Sequence, residues 1–222
     1  MSTFSFDLLA LIADILLCSF PTATKGAKPQ LLFSFGSDGE GDGQFSIGCS
    51  GITVGPGNEI WVSSQRKVQV FNGEDGKFLF HAAPGHWKDR VYGMAFDSNG
   101  EVFIADCSAH RIVVCGLDGS FVRAFGSEGG NNGQFQGPRD VIVDFKGLVF
   151  VADTDNQRVQ VLTRSGEFVQ LFGSAGRHDG QFNDPVDVAL DLFTDRGELV
   201  ILEHWNQRIQ VICQYNVCEL VV

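Results

Sequence analysis

The chain has 222 residues, 44% of them hydrophobic, with 27 glycines, 20 phenylalanines and a formal net charge of −11. That apolar content excludes the low-hydrophobicity disordered class and is enough to bury a sizeable core. The negative charge repels a nucleic-acid backbone on average, since phosphate affinity needs clustered Lys and Arg, so DNA is not an expected partner and RNA is disfavoured.

The first twenty residues, MSTFSFDLLALIADILLCSF, have no Lys or Arg before Lys25, unlike the positive start of a signal peptide. A spanning helix would hold Asp14 near its centre at a cost of about 3 kcal/mol. Leu8, Leu9, Leu11, Ile12, Ile15 and Leu16 fit one helical face, so residues 1–29 are expected to be a short amphipathic helix followed by the linker TATKGAKP. A signal or anchor, or an artefactual start, are the alternatives.

Beyond the linker the sequence repeats itself. FSFGSDGEGDGQF (33–45), FGSEGGNNGQF (125–135) and FGSAGRHDGQF (172–182) align, and Val68, Ile112, Val159 and Ile209 fall in step at 44, 47 and 50 residues. A period in the forties belongs to a propeller or a solenoid. In the third copy DVIVD (140–144), GLVFVAD (147–153), RVQVLT (158–163) and EFVQLFG (167–173) are short β-branched and aromatic runs bounded by turn residues, hence four antiparallel strands. Four such strands per unit make one propeller blade, and radial repetition protects the sheet edges. The expected fold is all-β, with blades at about 46–81, 91–125, 138–172 and 185–222 and a leading outer strand at 30–36. VCELVV (217–222) reads as the outermost strand of the fourth blade, leaving the leading strand no vacancy there.

GPRDVIVDFKGLVFVADTDNQRVQVLTRSGEFVQLFGSAG (137–176) resembles an NHL repeat, and the linkers resemble those in the C-terminal propellers of tripartite-motif (TRIM) ubiquitin ligases and their Brat-like relatives. The resemblance covers 31–222. Such propellers usually close with six blades, whereas four are visible here, and no RING, B-box or coiled coil is present, so the resemblance implies a separate or lost RING partner. The resemblance implies a non-catalytic, substrate-recruiting interaction domain of the ubiquitin pathway. The alternatives are a Brat-like RNA-binding regulator and a secreted metal-dependent amidating-lyase-like or calcium-binding propeller. Residues 31–222 hold 14 basic against 25 acidic side chains, so RNA binding would need the basic ones gathered on one face.

In an antiparallel blade the second-to-third-strand loop and the blade-to-blade linker emerge on one face, the expected binding surface. By alignment, Ser50, Tyr92, Arg139 and Val186 stand nearest the axis, flanked by Arg90, Asp140 and Asp187. With Arg177 and Trp205 these give the candidate binding set Arg90, Tyr92, Arg139, Asp140, Arg177, Asp187 and Trp205. Trp87 and Trp205 are expected as exposed aromatics that suit a protein partner, and the arginines with Tyr92 and Trp205 would serve RNA.

The pairs Asp106 with Arg111, Asp153 with Arg158, and Glu203 with Arg208 read as structural ties across the second-to-third-strand loop. The first blade breaks the pattern with Ser63 and Lys67, so its loop is expected to be the least tied. Phe45, Phe135 and Phe182 of the GQF motif read as plugs between blades. ADTDNQRVQV (152–161) puts Arg158 and Arg164 where a calcium loop needs Gly and Glu, and DGEGDG (38–43) reaches Cys49 at the twelfth position. His81, His86, His110, His178 and His204 have no common spacing; His110 and His204 flank equivalent loops, where a shared metal is the alternative to isolated roles. No metal, cofactor or catalytic set is therefore expected. Cys18, Cys49, Cys107, Cys115, Cys213 and Cys218 form no CxxC pair and read as buried thiols of a cytoplasmic protein. Unfilled blade edges raise edge-mediated self-association.

Overall fold

A computed structural model describes residues 31–45, 48–190 and 198–213. The helix expected in 1–29 and the strand at 217–222 lie outside these residues. The described residues from Phe35 onward belong to one compact unit.

The first blade consists of β1 (Cys49–Val54), β2 (Glu59–Ser64), β3 (Lys67–Asn72) and β4 (Phe78–Ala82), hydrogen-bonded in that order. β5 (Val91–Phe96), β6 (Glu101–Asp106), β7 (Arg111–Gly116) and β8 (Phe121–Phe125) repeat the arrangement. So do β9 (Pro138–Val143), β10 (Val149–Asp153), β11 (Arg158–Leu162) and β12 (Phe168–Phe172). The fourth sheet contains β13 (Pro185–Leu190), β14 (Glu198–Glu203) and β15 (Arg208–Cys213) among the described residues. Every pairing between these strands is antiparallel, giving an all-β propeller of four blades. The described residues contain no α-helix, only single 3₁₀ turns at Cys107–Ala109 and Thr154–Asn156.

The outer strand expected at 30–36 is corrected. Residues 31–36 join no ladder, and the first bridge is Ser37 to Gln44. A strand exists by pairing its N–H and C=O groups, and the outer places beside β3, β7 and β11 are already held by β4, β8 and β12.

Apolar side chains point alternately to the two faces of each sheet, so each blade offers a leading face to the blade before it and a trailing face to the blade after it. Three cores result. Trp61, Val68 and Val70 of the first blade meet Met94, Val102 and Ile104 of the second. Phe103, Ile112 and Val114 then meet Val141, Val149 and Leu162, and Phe150, Val159 and Val161 meet Val188, Leu199 and Ile201. Phe135 and Phe182 are fully buried in the second and third of these cores. Phe45 lies against Phe71, ring centroids 5.9 Å apart, and is only half-buried.

The expectation for Trp87 is corrected. It packs into the first core and donates its indole N–H to the Ala82 carbonyl at 2.8 Å, filling the space that Phe135 and Phe182 fill elsewhere. The linker before the second blade, APGHWKDR, has no GQF, so the larger indole supplies the missing apolar volume.

Cysteine placement is also mixed. Cys107 and Cys115 are buried, whereas Cys49 and Cys213 are exposed. Burial pushes the Cys115 thiol up to about 12, which leaves it protonated and unreactive. No helix among the described residues is long and apolar enough to cross a membrane.

Candidate binding face

Each innermost strand begins with a β-bulge. In β1 the partner register steps from Cys49 to Gly51, leaving Ser50 unpaired. In β9 it steps from Pro138 to Asp140 and in β13 from Pro185 to Asp187, leaving Arg139 and Val186 over. In β5 Tyr92 and Gly93 lie in the step between Val91 and Met94. An extra residue in a ladder bends the strand and re-aims its side chain, and Ser50, Tyr92, Arg139 and Val186 all line one axial cavity of about 850 Å³.

The floor of that cavity is acidic. Asp140 and Asp187, one residue past the bulges of β9 and β13, share a side-chain hydrogen bond, and Asp140 Oδ2 accepts the Val188 N–H at 3.0 Å. Burial first, and then Asp187, raise the Asp140 carboxyl well above the usual carboxylate range. Gly93 occupies the same place in β5, where a Cβ would run into the Asp140 carboxylate, so the second and third blades approach this closely only with glycine there.

The rim is mixed in charge and aromatic. Tyr92 hydrogen-bonds Arg90, which raises the Arg90 guanidinium above its ordinary value, and the Arg139 guanidinium lies 6.0 Å from the Tyr92 ring centre. Arg139 Nη1 also reaches Asp184 Oδ2 at 3.4 Å, and the same oxygen contacts His204 Nδ1 at 3.1 Å. His204 stacks on Trp205 with centroids 4.7 Å apart. Trp205, 65% exposed, lines with Arg177 a separate shallow cleft of about 310 Å³. The candidate set thus divides: Tyr92, Arg139, Asp140 and Asp187 line the axial cavity with Arg90 attached through Tyr92, while Arg177 and Trp205 lie in the outer cleft.

Asp184 and His204 join this rim without standing among the candidate residues read from the sequence. Asp184 has φ 60° where the aligned Gly137 has φ 62°, so an aspartate stands at a left-handed position that favours glycine. Reading DPVD against GPRD would have exposed that substitution, since Asp tolerates this conformation and brings a carboxylate to the rim. His110 is not part of a site with His204: its Nδ1 accepts the Gly137 N–H at 3.0 Å. Among the described residues no three His, Cys, Asp or Glu side chains are grouped to hold a metal ion.

The loop pairs reach further than their own loops. Arg158 Nε bonds Asp153 at 2.7 Å, and its two amino groups donate to the carbonyls of Gly130, Asn131 and Gln134 in the preceding linker. Arg208 bonds Glu203 at 2.6 Å and the carbonyls of Arg177, His178 and Gln181. Arg111 bonds Asp106 at 2.9 Å and the His86 carbonyl.

The first blade differs from expectation. Its counterpart of the acids is Ser64, opposite Lys67, not Ser63, because its loop is only Gln65 and Arg66. Lys67 Nζ still reaches the Glu40 and Gly41 carbonyls at 3.2 and 3.3 Å, so that linker is tied too. Ser63 hydroxyl instead donates to the Tyr92 carbonyl at 2.7 Å, holding the second blade's bulge.

A glutamine in the third strand completes each GQF linker. Gln69, Gln160 and Gln210 accept the N–H of Gly43, Gly133 and Gly180 and donate to the carbonyls of Gln44, Gln134 and Gln181, at 2.6–3.0 Å. The second blade lacks both GQF and the glutamine, having Val113 at that place. VQV twice and IQV once against one IVV was visible in the sequence, but the partner of the glutamine was not.

The family comparison agrees with these repeats: the NHL repeat model matches residues 93–115 and 135–162. Both stretches are NHL repeats. Among solved structures, virginiamycin B lyase from Staphylococcus aureus matches with a TM-score of 0.59 and 18% identity, over 76% of this chain and 53% of that one. A streptogramin B lyase matches with a TM-score of 0.57 and 17% identity, over 73% and 50%. A chain of a nidogen/laminin complex matches with a TM-score of 0.61 and 16% identity, over 74% and 60%. These likenesses show the fold alone, and this chain spans 50–60% of the length of those structures. No curated protein sequence matches the chain.

Proposed function

We propose that the chain is a non-catalytic interaction scaffold of the kind found in the NHL domains of tripartite-motif ubiquitin ligases, and that its axial cavity receives an extended segment of a protein partner. The observation that carries this reading is the convergence of one bulge residue from each blade. Ser50, Tyr92, Arg139 and Val186 offer a hydroxyl, an aromatic ring, a cation and an aliphatic surface within one cavity of about 850 Å³, above two carboxyls. A peptide presents the same mixture of groups, and few small metabolites do. A propeller neighbour solved in a nidogen/laminin complex is consistent with a protein partner.

The titratable groups here are already engaged in holding the blades. His204 and Arg139 share Asp184, and Asp140 bonds Asp187 and the Val188 N–H. This favours recognition over acid–base chemistry. The Brat-like RNA reading has weaker support, because Arg139 is paired with Asp184 and shares its cavity with Asp140 and Asp187, so a phosphate entering there would meet acidic groups.

The test is selection from a random peptide display library and from a randomised RNA pool at two salt concentrations, with Arg139→Glu alongside. Peptides that bind the chain and lose at least tenfold in affinity to Arg139→Glu support the proposal. Sequence-selective RNA binding that weakens with salt and with Arg139→Glu would replace it.

A further inference from the structure

The two end blades leave apolar side chains exposed: at Ile52, Ile209 and Val211 the equivalent positions are buried in every blade interface between them, while those of Val54, namely Phe96, Val143 and Leu190, are partly buried. On the leading face of the first blade Ile52 is 72% exposed and Val54 60%, whereas the equivalents of Ile52, namely Met94, Val141 and Val188, are 7%, 0% and 3% exposed. On the trailing face of the fourth blade Ile209 is 63% exposed and Val211 59%, whereas Val68, Ile112 and Val159, and Val70, Val114 and Val161, are all 0%. Monomers seldom leave contiguous apolar surface of this kind open.

The two faces are opposite halves of one interface. Phe135 is buried because it sits on Ile112 and Val114 of the blade before it as well as on its own. Phe45 lies against Phe71 of its own blade and stays half-exposed. The fourth blade shows the converse: Leu202, Ile209 and Val211 form the surface that such a Phe covers, and nothing among the described residues covers them. Polar groups match as well. Asp140 accepts the Val188 N–H from the next blade, and Asp187, its counterpart, stands where it would accept the Ile52 N–H of a following first blade.

We infer that the occupant of both faces is a second copy of this chain. The fourth blade of each copy packs on the first blade of the other, continuing the stacking already present between the first and fourth blades of one chain. In a two-fold arrangement about the propeller axis both junctions form at once, and the eight blades close within the range of four to eight that propellers adopt. Contacts of this head-to-tail kind close into a ring or run on as a filament, and the two-fold ring leaves no face open. The axial cavity then becomes a channel lined by both copies.

Light scattering coupled to size exclusion, with sedimentation velocity over a hundredfold concentration range, tests this on the whole chain. A single species of twice the chain mass is expected. A monomer throughout, or an open series of larger species, overturns the closed ring. Ile52→Glu and Ile209→Glu, both at exposed positions, should each shift dimerisation to at least tenfold higher concentration while keeping the native far-UV spectrum. Mixing the two variants should restore a dimer, since one junction in the mixed pair has both native faces. If Ile52→Glu leaves the dimer intact while Ile209→Glu dissolves it, the trailing faces pair with each other and the head-to-tail arrangement is wrong. Should either variant lose its native spectrum, Val54→Glu and Val211→Glu give the same readout.

Discussion

The second and third blades share a fold and differ in how they bury the same aspartate. Asp153 receives the Arg158, Asn156 and Gln160 side chains and the Gln136 N–H, at 2.7–3.1 Å. Asp106 keeps Arg111 and the influence of one backbone N–H, from Lys88, because Ala109 and Val113 stand where the third blade has Asn156 and Gln160. The consequence is electrostatic. Burial raises the Asp106 carboxyl despite Arg111, while in the fourth blade burial acts on Glu203 too but is outweighed by Arg208, the Asn183 N–H, Gln210 and Asn206, which hold it below the usual range. A buried carboxylate is tolerated in proportion to the donors around it.

The largest effect that would break this comparison is removal of Arg158. Its side chain is 10% exposed and Asp153 is fully buried, so Arg158→Met should destabilise by about 3–5 kcal/mol in urea unfolding. Arg111, 28% exposed, serves a poorer network, and Arg111→Met should cost about 1–3 kcal/mol. Equal losses would mean that the surrounding donors do not matter.

The glutamine exchange sharpens the point. Gln160→Val removes a bridge to the linker and should cost about 1–3 kcal/mol, leaving the Gly133 N–H without its acceptor. Val113→Gln should also destabilise, by a similar amount, because the second blade has no GQF linker to receive it. Thermal unfolding of both variants checks this. Stabilisation by Val113→Gln would show that the glutamine acts without its linker.

A smaller effect concerns the axial acids. The folded Asp140 carboxyl is raised, so the folded chain holds a proton that the unfolded chain releases above about pH 4. Its contribution is therefore full below about pH 4 and declines as pH rises toward the folded value. Asp187→Asn removes the like charge, so the melting temperature of the variant relative to the native chain should rise between pH 4 and pH 8. A flat difference would mean that Asp187 does not act on Asp140. Smallest of all, Trp205→Ala should change stability by less than about 0.5 kcal/mol, as its ring is exposed, while altering binding of any partner at the outer cleft.

The blade repeat could be read directly because hydrophobic alternation and turn residues are local properties of the chain. The axial quartet Ser50, Tyr92, Arg139 and Val186 followed from alignment, since a repeat places equivalent residues at equivalent depth. What alignment could not supply was contact between repeats. Asp184 and His204 join the rim because an aspartate took a glycine's left-handed position in one blade and a histidine followed a glutamate in the next strand's loop. Trp87 looked like a surface aromatic because the absence of GQF nearby says nothing by itself about which side chain fills the gap.

The sequence by itself determined the strands, the four-blade count and the face on which the loops gather, because period, pattern and antiparallel connection leave few other arrangements. Only the tertiary structure decided that the inner strands bulge, that the arginines hold the linkers of the preceding blade boundary, and that the end blades expose complementary faces. These depend on groups 20 to 50 residues apart meeting in space, as with Asp140 and Val188, 48 residues apart, or Arg158 and Gly130, 28 apart. No local pattern encodes such a meeting.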